Sequence, residues 1–355
     1  MRYNSIDGTI YGMDIINRGI AFVALFLSVS AFAAFDDDLP YLKSKWRSDV
    51  TDKSTGLGVE ELKVKAEKIA AAGKGVKPWC LVKAEIFKMI CENMSVGFSP
   101  HDAFPAFSCW SKKNRVLTKL INERIVEVDS TYCPDAKVKS KEVKGSILRH
   151  DYDHAVPDWD RILKLGFPGI KAEIDASKAT NDYSKAMRIV ADAMLNNVKR
   201  LVKIAEDSKD ANNPVIKAEI AALKNLAKAP PKTAYEVMLF QLLFFYYGEH
   251  LDHLQVRSLG NWDRLLKPYY EADLKAGRTT REEFKNLVKY FWWQWGSLDN
   301  WWGQPVYIGG TKADGTTEYN EVSRIVLEVV DEVHVPTPKL QMKIAPNSPD
   351  DILSK

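Results

Sequence analysis

Arg257-Ser258-Leu259-Gly260-Asn261-Trp262-Asp263-Arg264-Leu265-Leu266-Lys267-Pro268-Tyr269-Tyr270 runs on through Asp273-Leu274-Lys275-Ala276-Gly277. It is followed in order by Tyr307-Ile308-Gly309-Gly310, Asp314-Gly315, Asn320-Glu321-Val322-Ser323 and Pro336-Thr337-Pro338. Between the two phrases, Thr280-x-x-Glu283 has the form of a capping box. The helix it opens carries Phe284, Leu287, Val288, Phe291 and Trp292 at helical spacing. Pro305 to Ile308 and Lys339 to Ile344 are the best strand candidates, the second alternating as a half-buried strand does. Gly309-Gly310 with Asp314-Gly315 is no phosphate loop, because neither a Lys-Ser/Thr nor a G-x-G-x-x-G accompanies it.

Upstream, the pattern is mostly helical. Thr233-x-x-Glu236 predicts a capping box before the apolar run Val237 to Tyr247, and Pro230-Pro231 stops a helix over Val215 to Ala227. A long amphipathic helix begins at Tyr183 and ends near Asn212-Asn213-Pro214. Further helices are expected over Leu57 to Ala72, Trp79 to Met94 and Asn114 to Ile125, with a short strand at Val126-Glu127-Val128. Phe98 to Trp110 and the lysine-rich Pro134 to Val143 are expected to be loops. No repeat period and no linker divides the chain after residue 40.

The totals are those of a globular chain, 46% hydrophobic and 27% charged. A net charge of +3 over 50 basic and 47 acidic side chains predicts neither a nucleic-acid nor a membrane partner. Cys80, Cys91, Cys109 and Cys133 are too few for a disulfide scaffold, and a reduced cytosolic protein is the simplest reading of that count. The N-terminus points the other way. Arg18, an apolar run from Ile20 to Ala34 and an A-x-A pattern at Ala31 to Ala33 form a signal-peptide-like segment, too short for a comfortable membrane span. Residues 1–40 are therefore either a leader or a spurious extension, and residues 41–355 the domain.

The two opening phrases together resemble the glycyl radical enzymes, the pyruvate formate-lyase superfamily. Its members read there roughly as S-x-G-R-x-D-x-x-L-x-P-Y-Y-x-x-D-L-x-x-G, then L-G-G, D-G, N-E-L-S and a Pro-rich turn. The resemblance implies an α/β fold, predominantly helical in this segment, forming the N-terminal part of a ten-stranded barrel wrapped by helices. It also implies a cytoplasmic homodimer acting on a small-molecule substrate, with an organic glycyl radical installed by a radical S-adenosylmethionine activating enzyme. The family's thiyl cysteine follows the Pro-rich turn, and its glycine sits in an R-V-x-G-Y context; neither is found among these residues. The expectation is a truncated member with no catalytic residue of its own, inactive alone. Its parent would be a formate C-acetyltransferase, a C–C or C–O lyase, or a dehydratase. The alternative is an exported helical binding protein with a vestigial family likeness.

Within that resemblance, His154-Ala155-Val156-Pro157-Asp158-Trp159 followed by Leu165-Gly166-Phe167-Pro168-Gly169-Ile170 is similar to a dehydratase and lyase phrase whose His lies at the substrate pocket. A neutral imidazole there exchanges a proton with a hydroxyl near neutral pH; the plainer reading is a turn histidine bonded to backbone. Leu254 to Ser258 aligns with the family's substrate-facing loop, which makes Gln255 and Arg257 candidates, Arg257 as a carboxylate clamp or else a structural ion pair. Asn261 stands where relatives carry Arg. Trp301 and Trp302 lie near the family's active-site aromatic, although Tyr290 to Trp302 as a group reads as core. His150 with His154, and Glu249-His250-Leu251-Asp252-His253, lack convergent further ligands and are not read as metal sites.

Overall fold

Helices dominate because apolar side chains recur at helical spacing along most of the chain. The structure, a computed structural model, describes residues 32–108, 115–132, 134–143, 154–252, 254–256, 258–298 and 304–354. Helices α1 (Phe35–Ser44), α2 (Val59–Gly73) and α3 (Trp79–Asn93) precede a minimal antiparallel pair, β1 (Val96–Gly97) with β2 (Ala106–Phe107). Then come α4 (Thr118–Tyr132), α5 (Ala136–Glu142), β3 (His154–Ala155), α6 (Trp159–Ala176), α7 (Asp182–Asp207), α8 (Pro214–Leu226) and α9 (Ala234–Phe245). Among the described residues, no helix is long and apolar enough to cross a membrane.

The innermost helix is α9, where every residue except Phe244 is buried. A helix apolar all round must be enclosed, and α9 packs against α6 and α8 and against two later helices, α10 (Trp262–Lys275) and α11 (Arg281–Ser297). Helix α7 lies along α3, joined by Asn197, whose amide donates to the Cys91 carbonyl at 2.6 Å. Arg200 donates to the carbonyls of Met94 (2.8 Å) and Thr55 (2.5 Å), satisfying the exposed end of α3. Helix α6 breaks at Gly166 (φ 60°), where an added Cβ would lie 2.8 Å from the Pro230 backbone, and Pro168 opens its second half. Residues 32–40, at the end of the leader-like segment, also pack here: the Asn286 side chain accepts from Phe35 N at 2.7 Å and donates to Ala33 O at 2.7 Å.

The remaining strands are parallel. His154 of β3 pairs with Gln255 of β4 (Gln255–Val256), and β5 (Pro305–Gly309) pairs with β6 (Lys339–Lys343). Leu259 N to Pro305 O (3.0 Å), Tyr307 N to Gly260 O (3.0 Å) and a parallel bridge between Asn261 and Tyr307 link the two pairs. Residues 259–261 thus form a short parallel ribbon with β5 and β6, beside the separate β3–β4 pair. A ten-stranded barrel is not seen among the described residues.

Several local expectations need correction. Val126 to Val128 is not a strand: α4 continues through it to Tyr132, because helix hydrogen bonds already under way outweigh the β-propensity of two valines. Pro134 to Val143 is not a loop throughout. Its Ala, Lys and Glu residues are good helix formers, and α5 carries a Lys139–Asp135 pair at 3.8 Å. Phe98 to Trp110 contains β2. Thr280 and Glu283 do form the reciprocal box. Thr233 and Glu236 do not: Glu236 turns instead to Lys232 N (2.6 Å) and the Asn225 amide (2.8 Å).

One carboxylate fixes how the ribbon meets the helices. Asp263, at the start of α10 and fully buried, accepts from Gly309 N at 2.7 Å and from the Ser323 hydroxyl at 2.6 Å. Ser323 itself accepts from Asn320 N (2.9 Å) in the capping box that opens α12 (Glu321–Val333). Gly309 is required there (φ 70°), since a Cβ would fall inside the Tyr319 ring. Burial pushes the Asp263 carboxyl up, and the bonds from Ser323 and Gly309 offset part of that. Asp263→Ala leaves both donors buried and unpaired, so denaturant unfolding is expected to show a loss of about 2–4 kcal/mol. A change below about 0.5 kcal/mol would contradict this role. Glu219 of α8 is the opposite case, wholly buried with neither oxygen bonded among the described residues, its carboxyl pushed well up by desolvation. The folded state holds that proton where the unfolded chain has lost it, so the destabilisation grows as pH rises above the usual carboxylate range. Glu219→Met is therefore expected to stabilise on the order of 1–3 kcal/mol at pH 8 and less at pH 5, read by thermal melts. The reverse trend would refute it.

Candidate functional site

The β3–β4 pairing brings together two sequence phrases that lie far apart in the chain. Ala155 sits opposite Val256 and His154 opposite Gln255 in parallel register. The pairing is held from behind. Val256 N donates to Glu249 at 2.9 Å, and Glu249 pairs with Arg115 at 3.0 Å, both side chains buried. A buried ion pair of this kind is costly to break by removing one partner, which makes it a strong positioning device. On the exit side, the Trp159 indole donates to Ser258 O at 2.8 Å, and Asp158 caps α6 by accepting from Arg161 N at 3.2 Å. The H-x-x-P-D-W phrase is thereby a strand, a turn and a helix start, docked by its Trp onto the second phrase.

Beyond these strand ends lies a groove of about 380 Å³, walled by Val156 to Asp160, by Ser258, Gly260 and Asn261, and by Arg264, Tyr307 and Lys343. Two polar pairs shape it. The Arg264 guanidinium grips Asp160 with two bonds, 3.0 and 2.8 Å, which draws the Asp160 carboxyl down and the guanidinium up. Lys343 donates to the Asn261 side chain at 2.5 Å and lies 5.4 Å from the Tyr307 ring centre. Both pairs are partly exposed and contribute only about 0.2–1 kcal/mol each to stability. Their effect is to line the groove with an ammonium, a side-chain amide and a phenol, groups suited to a small polar ligand.

His154 and Gln255 are brought together as strand partners; their side chains lie outside the described residues, as do Arg257, Trp301 and Trp302. The rest of the aromatic group is core. Trp262 stacks on Phe291 (5.2 Å, 15°) and donates to Gln241 at 2.8 Å, Trp292 meets Trp262 edge-on, and Trp295 packs on Phe245 at 4.6 Å. Glu249 and His250 belong to a π-helical turn, Tyr246–Leu251, in which His250 stacks on Tyr246 at 5.5 Å. Asp252 pairs with Lys83 at 3.0 Å. The segment read as a helix end thus serves packing and the β4 anchor. Asp160, Arg264, Tyr307 and Lys343 were not legible as groove residues, because each pairing joins distant segments with no local motif.

The family model for pyruvate formate lyase-like proteins matches residues 106–355. Isethionate sulfite-lyase of Oleidesulfovibrio alaskensis is 25% identical over 234 residues, covering 56% of this chain and 28% of that protein. Trans-4-hydroxy-L-proline dehydratase of Clostridioides difficile is 26% identical over 231 residues, 55% of this chain and 29% of that protein. The chain therefore spans under a third of the length of these relatives. Among solved structures, a glycyl radical enzyme from Archaeoglobus fulgidus superposes with a TM-score of 0.68 at 16% identity, over 88% of this chain and 49% of that one. Fold, ordered phrases and family match agree, and the chain belongs to the pyruvate formate lyase-like family, within the glycyl radical enzyme superfamily.

Proposed function

We propose that these residues form the N-terminal, substrate-holding part of a glycyl radical lyase or dehydratase acting on a small polar metabolite. The observation that carries this reading is the register pairing of His154 with Gln255 on strands followed by residues, Val156 to Asp160 and Ser258, that wall a polar groove. In this scheme His154 exchanges a proton with a substrate hydroxyl, Gln255 orients it by hydrogen bonding, and Arg257 clamps an anionic group. Trp301 and Trp302 supply an aromatic wall that limits water. The relatives include a sulfite-lyase and a dehydratase, and formate C-acetyl transfer is a third chemistry open to such a fold.

The radical is the group the present residues do not fit. No Arg-Val-x-Gly-Tyr occurs in the sequence, and Cys80 and Cys91, the cysteines among the described residues, both lie in α3 away from the groove. In the proposed whole enzyme, a cytoplasmic homodimer, the radical is installed by a radical S-adenosylmethionine activating enzyme and supplies the hydrogen-atom chemistry. The leader-like residues 18–34 favour a second reading, an exported helical binding protein, which cell fractionation separates from the first.

Two measurements test the proposal. The 355-residue chain, incubated without oxygen with an activating enzyme, is expected to give no glycyl radical doublet by electron paramagnetic resonance; a doublet would overturn the division of labour. Joined to a segment carrying the cysteine and glycine loops, the His154→Ala variant is expected to lose about 10²–10⁴-fold in kcat/KM with radical yield unchanged. An unchanged kcat/KM would remove His154 from the site.

A further inference from the structure

A second cavity, of about 180 Å³, lies between the C-terminal turns of α1 and α11 and the turn that follows β1. None of its lining residues borders the groove described above. Its walls include the rings of Tyr41, Phe98, Phe104 and Trp293. Its polar floor is Asp102, only 8% exposed, which accepts from Phe104 N at 3.2 Å and from the Gln294 amide. Among the described residues, Lys45 is the only basic one in the lining, and it rests 6.0 Å from the Tyr41 ring centre; Asp49 and Asp52 are also part of that lining.

Two further carboxyl groups and three phenols lie near enough to influence Asp102. Asp38 and Tyr41 face it from α1, Glu219 from α8, Tyr235 from α9 and Tyr290 from α11. Asp38 is already engaged by the Tyr290 hydroxyl at 2.5 Å and by His101 Nδ1 at 2.7 Å. Glu219 is wholly buried, and neither of its oxygens has a hydrogen-bond partner among the described residues. A carboxylate so placed, beneath aromatic rings and with no basic side chain bonded to it, gains most from a mobile cation. An ammonium gives it a charge partner, and the rings offer apolar surface to the carbon chain attached to that ammonium.

We propose that this cavity binds a small alkylammonium ion, its ammonium on Asp102 and its carbon chain against the rings of Phe98, Phe104 and Trp293. This is independent of the proposed enzymatic function. Burial pushes the Asp102 carboxyl up to about 7, so binding the cation at neutral pH expels a proton. Affinity therefore rises with pH through neutrality and falls below it.

The test is isothermal titration of the 355-residue chain with propylammonium chloride, with 1-propanol and sodium chloride as controls. Saturable one-to-one binding is expected at pH 8, about tenfold weaker at pH 6, as one group titrating near 7 requires. At pH 7 the heats in phosphate and HEPES, neither of which supplies a primary ammonium, should differ by the ionisation heat of the released proton. Asp102→Asn should abolish binding. Phe98→Ala, which keeps the carboxyl, should weaken it about fivefold or more, and it decides the matter if Asp102→Asn does not fold. The proposal is overturned by no saturable heat at pH 8, by equal binding of 1-propanol, or by equal affinity at pH 6 and pH 8.

Discussion

Asp263 is the constraint on which the arrangement of sheet and helices depends. Its carboxylate collects the amide of Gly309 at the end of β5 and the hydroxyl of Ser323 at the head of α12, while its own backbone begins α10. Strand β5 and helix α12 thus meet on a single oxygen, Oδ2, at the start of α10. With α10 and β5 locked, the chain before α10 must run alongside β5, and Leu259 and Gly260 do so through two backbone bonds. The direction of β4 follows, and β3 pairs onto it. The groove is set by this sequence of couplings rather than by local preference, since β3 and β4 are each two residues long and hold no stability by themselves.

This gives the family phrase a physical content. In the stretch from Ser258 to Asp263, the serine hydroxyl bonds Gly260 N at 2.8 Å and the aspartate makes the joint just described. Asn320 and Ser323 cap α12, and Ser323 also completes the Asp263 joint. The phrase was read as pointing to a chemistry; in the structure most of it is framework. Asn261 is the exception, turning its side chain to Lys343 at the groove.

Much was legible from the sequence where the determinant is local. The stripes of α2, α3, α7 and α8, the Thr280–Glu283 box and the two longer strands all rest on periodicity or short-range bonds, and they stand within a few residues of where they were expected. What was missed depends on distant partners. Glu236 abandons its capping box because Asn225 and Lys232 N compete for its oxygens. The His154 strand exists only because Gln255 is beside it, and no propensity scale sees that. The buried Glu219 and Asp102 were invisible for a related reason, since Glu219 and Asp102 read as ordinary acids until the fold removes their solvent. Of the candidate site, the sequence supplied the two phrases, and only the three-dimensional pairing showed that they adjoin.

That adjacency can be tested directly by a cysteine pair. Neighbouring strands lie roughly 4.8 Å apart, within the Cα separation a disulfide accepts. In a chain with Cys80, Cys91, Cys109 and Cys133 replaced by serine, His154→Cys with Gln255→Cys is expected to close a disulfide under mild oxidation, linking the two peptides in a digest. If the two thiols stay free while the protein remains folded, β3 and β4 are not partners, and the site built upon them does not exist.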